Sequence, residues 1–326
     1  MSDLKARILG EVAAELSSIE AALKENLNPW AELAGEVAGH LLFSGGKRLR
    51  PLLMILAARA CGSDRQDLAR YSVLFEYLHA ATLIHDDLVD EAVMRRGKPA
   101  AHGVYGAPEA VLTGDFILAR CLTLTAETRN FAIIDEICGI TEAMSQGEIQ
   151  QLYNKGRMDL TEAEYLDVIE RKTAVLLKGA CVTGAHLAGQ PDEVVDALGR
   201  YGWHIGMAFQ MADDLLDYTA DLASLGKEPG ADLREGKLTL PVIYALSKAS
   251  NGEKERMEAI MADPDFTVEA FSELVSLLTE LDGIGYTERC AHDHVGLAKD
   301  ALAGLPHSRE KELLLLVGDY SLGRKS

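Results

Sequence analysis

Basic residues are scarce in this chain. Its 326 residues include 32 Lys and Arg against 51 Asp and Glu, a net charge of −19 with His neutral. Non-specific nucleic-acid binding rests mainly on Lys and Arg against phosphate. Anchoring on anionic lipid needs clustered basic residues. The charge argues against both, and at first sight against a small polyanionic substrate as well. Aromatic residues make up only 6% of the chain. Alternating stretches rich in Val, Ile and Thr are missing, which argues against a β-sheet protein. The five cysteines, Cys61, Cys121, Cys138, Cys181 and Cys290, are widely spaced and form no CxxC pair. They make neither a disulfide frame nor a zinc site, and read as reduced thiols in a cytoplasmic protein. No run of about 18 apolar residues occurs, so no segment is expected to span a membrane. Residues 1–18 carry Asp3, Lys5, Arg7, Glu11 and Glu15, too many charges for a signal peptide. Long Ser/Gly/Pro linkers are missing too, so a single domain over residues 1–326 is expected.

What the chain does have is helical periodicity. Apolar residues form 48% of it, enough for a large core. Leu52, Leu53, Leu56 and Ala60 follow the helical period, as do Leu68, Tyr71, Leu74, Phe75 and Leu78. Gly and Pro punctuate the chain at Gly45-Gly46, at Gly97-Lys98-Pro99, between Gly103 and Pro108, and between Gly226 and Gly236. The reading is an all-α protein of ten or more helices.

Two acidic clusters stand out. His85-Asp86-Asp87-Leu88-Val89-Asp90 ends a long apolar-periodic stretch. On a helix Asp86 and Asp90 lie about 40° apart around the axis and one turn apart along it, with Asp87 beside them. Three carboxylates on one face repel unless cations neutralise them. Such hard oxygen ligands suit Mg²⁺, which takes one or two carboxylates together with water and substrate phosphate. The pattern recurs as Asp213-Asp214-Leu215-Leu216-Asp217, preceded by Phe209-Gln210. Apolar residues flank both copies, where a solvated face would be polar. Facing each other across a cavity, the two could hold Mg²⁺ and, through it, a diphosphate.

Cations sit beside them. Ser44-Gly45-Gly46-Lys47-Arg48-Leu49-Arg50-Pro51 places a flexible Gly pair before three basic residues. Lys47 and Arg50 share a face if a helix starts there. Arg95-Arg96-Gly97-Lys98 follows the first acidic cluster by five residues. Adjacent arginines point in different directions and can serve two anions, and Arg suits bidentate phosphate contact. The polar stretch from Leu225 to Lys237 reads as a solvated loop or a lid over the site.

Taken in order, GGKRLRP (45–51), LIHDDLVDEAVMRRGKP (83–99), GEIQQL (147–152), KTAVL (172–176), FQMADDLLDYTAD (209–221) and GKEPGADLREGKLTLP (226–241) resemble the trans-type polyprenyl diphosphate synthases over nearly the whole chain. The look is closest to long-chain, octaprenyl-like members. The resemblance implies a bundle of mostly antiparallel helices around a deep central cavity, working as a homodimer. It implies that an allylic diphosphate ionises, isopentenyl diphosphate attacks the cation and a proton leaves, with about three Mg²⁺ per site when substrate is bound. By the same resemblance Asp86, Asp87, Asp90, Asp213 and Asp217 belong to the metal set, with Asp214 as its supporting carboxylate. Arg95, Lys172, Lys227 and Lys237 contact the allylic diphosphate. Lys47, Arg50, His79 and Arg96 form the isopentenyl diphosphate pocket. Thr173 and Gln210 stand near the developing cation. The departing diphosphate serves as base, so no catalytic His is required.

Product length should be read along the first aspartate helix, because a prenyl unit of about 5 Å matches one helical turn. The family closes its tunnel early with aromatics four or five residues before the first Asp. Thr82 and Ala81, both small, occupy those positions here. Tyr77, one turn below Ala81, is either a floor or a core residue, and Phe116 or Leu122 on the facing helix offers another floor. The expected product is long, at about thirty carbons or more, and serves as a quinone side chain; a geranylgeranyl or farnesyl synthase is the alternative. A class I terpene cyclase would lack the second aspartate cluster and GGKRLRP. A di-iron bundle would need a second ExxH beside Glu76-Tyr77-Leu78-His79. A non-catalytic subunit of a heteromeric synthase would lack the intact aspartate clusters.

Overall fold

The structure, a computed structural model, describes residues 2–219, 230–263 and 266–323. Among them lie seventeen α-helices and one short hairpin. The N-terminal helices are α1 (Ser2–Glu11), α2 (Ala13–Leu27) and α3 (Glu32–Leu42). Next come α4 (Leu49–Ala60), α5 (Leu68–Val89), the hairpin of β1 (Met94–Arg95) and β2 (Lys98–Pro99), α6 (Ala101–Tyr105), α7 (Ala107–Glu127) and α8 (Phe131–Asn154). Helix α9 (Glu162–Ile169) runs through a π-helical turn at Glu170–Ala174 into α10 (Val175–Leu187). The rest are α11 (Asp192–Thr219), α12 (Ala231–Arg234), α13 (Leu240–Lys248), α14 (Asn251–Met261), α15 (Val268–Glu280), α16 (Gly283–Ala301) and α17 (Arg309–Leu322). The all-α expectation holds. None of the described helices is long and apolar enough to cross a membrane.

Local chemistry explains the main boundaries. Helix α8 starts where the Asn130 side chain accepts from the Ala132 N–H, and α9 starts on a Thr161–Glu164 capping box. Helix α5 has neither Gly nor Pro over its 22 residues and ends at the acidic cluster. The hairpin departs from the helical reading. Its turn residues Arg96 and Gly97 have φ of 52° and 75°, the left-handed pair that a two-residue hairpin loop needs.

The core has two parts. One gathers α2 to α5, α7, α8, α10 and the start of α11 around Leu53, Leu74, Phe75, Leu177 and Tyr201. The other gathers α9, the end of α11 and α13 to α16 around Tyr165, Met207, Met211, Leu240 and Leu274. Helix α11 belongs to both, packing on α10 and on α16. Helix α5 packs mainly on α7, α4 and α2. These contacts fix the C-terminal ends of α5 and α11, the helices that carry the two acidic clusters.

Arg48 anchors the first of these parts. It is 3% exposed. Its guanidinium donates to Glu20 at 2.6 Å, to Glu76 at 3.0 Å and to the Leu42 carbonyl at 2.6 Å. Glu76 is buried as well, so removing the cation strands a carboxylate in the core. Arg48→Met is expected to destabilise the fold by about 3–5 kcal/mol in denaturant unfolding, the usual cost of breaking one side of a buried pair. An unchanged midpoint would remove Arg48 from this role.

Candidate functional site

The first acidic cluster ends α5. Asp86 and Asp87 lie in its last turn and Asp90 is its C-cap. Asp90 is held from two sides, by Lys155 Nζ at 2.7 Å and Lys237 Nζ at 3.2 Å. Burial would raise its pKa, but the two ammonium groups outweigh burial and hold it below the ordinary value. Asp86 goes the other way, up to about 7, because burial and the nearby Glu148 outweigh Lys172. Lys172 Nζ sits 2.7 Å from Glu148 and 3.9 Å from Asp86.

The expectation that three carboxylates share one face needs correction. Asp87 is 3% exposed and is locked to the Arg95 guanidinium, whose Nε donates to it at 2.7 Å. One residue is about 100° of helix rotation, which takes Asp87 away from Asp86 and Asp90 and toward the hairpin. Among the described residues no three carboxylate, thiol or imidazole side chains come close enough to hold a metal by themselves.

The second cluster ends α11. Asp213 is exposed and Asp217 half-buried. Both Asp217 oxygens accept backbone N–H groups, of Ala231 at 3.1 Å and Asp232 at 3.2 Å, and so fasten the segment that leads to Lys237. Asp232 itself is pushed up to about 7 by burial and by Asp217. Asp214 is the buried carboxylate of this cluster. It is 5% exposed, and its two oxygens accept from Tyr165 Oη at 2.6 Å and Gln210 Nε2 at 2.7 Å. Burial and Asp232 push its pKa well up, and these two donors act against that. Gln210 Oε1 in turn accepts from Thr173 Oγ1 at 2.8 Å.

Lys172 and Thr173 stand in the π-helical turn. Such turns insert one residue into a helix and re-aim the side chains that follow. Close approach of this turn to α11 depends on Gly206, where a Cβ would collide with Ala174. Gln210 lies one helical turn further along α11, which brings it to Thr173.

The basic motif divides. Arg48 is the buried anchor described above and not a site cation. Helix α4 begins at Leu49, so Lys47 precedes the helix and does not share a helical face with Arg50. Lys47 lies over the Tyr320 ring at 5.8 Å. Arg96 donates to the Gly45 carbonyl, tying the hairpin turn to the Gly pair. His79, Arg50, Arg95, Arg96 and Lys172 converge. Burial, followed by the charges of Arg50, Arg96, Arg95 and Lys172, drives the His79 pKa well below its ordinary value, so the imidazole is neutral. Lys227 lies outside the described residues.

Of the product-length residues, Thr82 is half-buried on the Asp86 face of α5 and Ala81 is 2% exposed. Tyr77 is nine residues before Asp86, about half a turn out of phase. It is fully buried with its hydroxyl donating to the Leu23 carbonyl at 2.7 Å, which places it in the core beside α2. Phe116 is half-buried, while Leu122 is 42% exposed and cannot floor an internal tunnel.

Sequence reasoning missed Tyr165, Lys155, Asp232 and Glu148. Glu148 lay inside GEIQQL but was given no role. Tyr165 reads as one more apolar position of an amphipathic helix beside Val168 and Ile169. Nothing in the sequence marks Lys155 as a partner of Asp90.

The family model for polyprenyl synthetases matches residues 31–278. An octaprenyl diphosphate synthase of Haemophilus influenzae is 34% identical over 310 residues, covering 95% of this chain and 94% of that protein. A geranylgeranyl diphosphate synthase of Methanosarcina mazei is 36% identical over 98% of both chains. Among solved structures, a polyprenyl synthase of Caulobacter crescentus complexed with calcium and isoprenyl diphosphate superimposes with a TM-score of 0.91, at 34% identity and 98% coverage of both chains.

Proposed function

The chain belongs to the polyprenyl synthetase family and is a prenyltransferase, and on that premise we propose that it joins isopentenyl diphosphate to an allylic diphosphate to build a long polyprenyl diphosphate. The observation that carries this reading is the acidic end of α5 met by lysines from three other elements, with the acidic end of α11 fastened to the segment that bears one of them. Lys155, Lys237 and Lys172 reach Asp90 and Asp86 from the end of α8, from beyond α12 and from the π-helical turn. All of residues 1–326 serve this activity as one domain, in the reducing cytoplasm that five free cysteines suit.

The donor set fits Mg²⁺. Asp86, Asp90 and Glu148 are hard oxygen groups, and burial, with Glu148 and Asp90 beside it, raises the Asp86 pKa against the pull of Lys172. Asp86 and Asp90 on one side and Asp213 and Asp217 on the other would hold the ions, about three in all with substrate phosphates completing each shell. Bound Mg²⁺ would draw negative charge from the departing diphosphate. Lys172, Lys237 and Arg95 bind the allylic diphosphate, and Lys227 is assigned with them by resemblance. Lys47, Arg50, Arg96 and neutral His79 bind isopentenyl diphosphate.

In the reaction the allylic C1–O bond breaks and the diphosphate leaves with the electron pair. The double bond of isopentenyl diphosphate attacks C1, and the new cation loses a proton to the departed diphosphate. Thr173 and Gln210 offer oxygens to the developing cation. The apolar residues of the first core keep water from it. Thr82 on the Asp86 face leaves room for a chain of about thirty carbons or more. A geranylgeranyl-length product is the second reading, favoured by the Methanosarcina relative.

The protein works as a homodimer in this reading. Helices α7 and α8 expose Leu112, Leu122, Phe131, Ile149, Leu152 and Tyr153, more apolar surface than a lone chain leaves to water without reason.

Incubating the chain with isopentenyl diphosphate, Mg²⁺ and allylic primers of three lengths should give elongated products by chromatography; no elongation with any primer would sink the reading. Asp86→Ala should cut turnover by at least about a hundredfold, and retained activity would remove Asp86 from the metal set. Thr82→Phe should shorten the product, and an unchanged length takes Thr82 out of the tunnel wall. Ile149→Asp should turn a dimer into monomers in sedimentation velocity; a wild type already monomeric would refute the dimer.

A further inference from the structure

We propose that Tyr165 and Asp214 are positioning residues that hold the Gln210 amide with its oxygen, and not its nitrogen, toward Thr173 and the reacting carbon. This rests on the proposed condensation. A glutamine amide has two ends of similar shape and opposite polarity. The Gln210 nitrogen donates to Asp214 Oδ1 at 2.7 Å, and its oxygen accepts from Thr173 Oγ1 at 2.8 Å. Turning the amide over would set its oxygen against a carboxylate oxygen and forfeit that bond. It would also aim N–H groups at a carbon that becomes positive.

Tyr165 completes the lock. Its hydroxyl donates to the other Asp214 oxygen at 2.6 Å. Tyr165 and Asp214 are 4% and 5% exposed, so neither touches substrate. The two rungs, Tyr165–Asp214 and Thr173–Gln210, lie between the same antiparallel segments, α9 with the π-helical turn on one side and α11 on the other. The turn places Thr173 beside Gln210, while Tyr165, two turns earlier, reaches across to Asp214, one turn further along α11. An oxygen dipole held at fixed orientation stabilises a developing cation without reorganising during the reaction. A buried carboxylate beside a buried tyrosine thereby has a role in the rate.

The test uses the full chain under steady-state conditions, with kcat, both diphosphate KM values and the Mg²⁺ requirement measured for each variant. Tyr165→Phe should lower kcat about tenfold and leave both KM values and the Mg²⁺ requirement within about twofold. Asp214→Asn, whose amide no longer dictates which end of Gln210 it meets, should lower kcat about a hundredfold, again without a change in Mg²⁺ requirement. The exchange Gln210→Glu with Asp214→Asn restores a donor at 214 and an oxygen at both ends of 210. It should recover at least about tenfold over Asp214→Asn alone. A merely structural role would not predict that rescue. Unchanged kcat in Tyr165→Phe, a raised Mg²⁺ requirement in Asp214→Asn, or no recovery in the exchange would each overturn the proposal. If the wild type elongates and the variants behave like it, only the orientation fails; if the wild type does not elongate, the proposed function fails first.

Discussion

Negative charge at the wrong end of two helices is the constraint on which the site depends. The C-terminus of an α-helix carries about half a negative charge from its unpaired carbonyls. Helix α5 adds Asp86, Asp87 and Asp90 there, and α11 adds Asp213, Asp214 and Asp217 in its last turns. Neither end would stay folded inward without compensation. Arg95 returns from the hairpin to Asp87, Lys155 leaves the end of α8 for Asp90, and Lys237 comes from the far side of α12 to the same carboxylate. Lys172 reaches Glu148 and Asp86 from a helix interrupted by a π-helical turn. Elements distant in the chain are brought together by the need to neutralise the α5 end, while at the α11 end neutral donors serve, the Ala231 and Asp232 N–H groups on Asp217 and Tyr165 and Gln210 on Asp214. The same surplus of carboxylate makes the site receptive to a divalent cation and, behind it, to a diphosphate. A chain of net charge −19 can thus accept a polyanion.

The basic residues divide by burial. Arg48 gives its whole guanidinium to Glu20, Glu76 and the Leu42 carbonyl. In doing so it fixes the strand of chain on which Lys47 and Arg50 stand. Arg96 does similar work from the hairpin turn by holding the Gly45 carbonyl. His79, placed among these cations, is driven to its neutral form, which leaves it as a hydrogen-bonding group in a pocket whose charge comes from arginine and lysine.

Much of this was legible in the residues. The period of Leu74, Phe75 and Leu78 marked α5, and the repeat of the aspartate pattern marked both acidic helix ends. The motif residues Lys172, Thr173 and Gln210 do lie together. What escaped was partner choice. Asp87 and Asp214 look like their neighbours in a list of aspartates, yet they are the buried members of their clusters, at 3% and 5% exposed, because one step along a helix turns a side chain by about 100°. Tyr165 was hidden for the converse reason: in an amphipathic stretch a tyrosine reads as bulk, and only the register between α9 and α11 shows that its hydroxyl has a carboxylate to meet. Tyr77 likewise had two faces open to it until α2 supplied the Leu23 carbonyl.

The sequence by itself determined the helical class, the two acidic helix ends, the basic segments that accompany them and the family, since periodicity, charge spacing and motif order are properties of a one-dimensional chain. Only the tertiary structure decided which carboxylates are buried and which protein groups each one meets, which arginine is an anchor, and which way an amide faces. Those choices follow from distances of about 3 Å between groups far apart in the chain, and helix packing sets such distances.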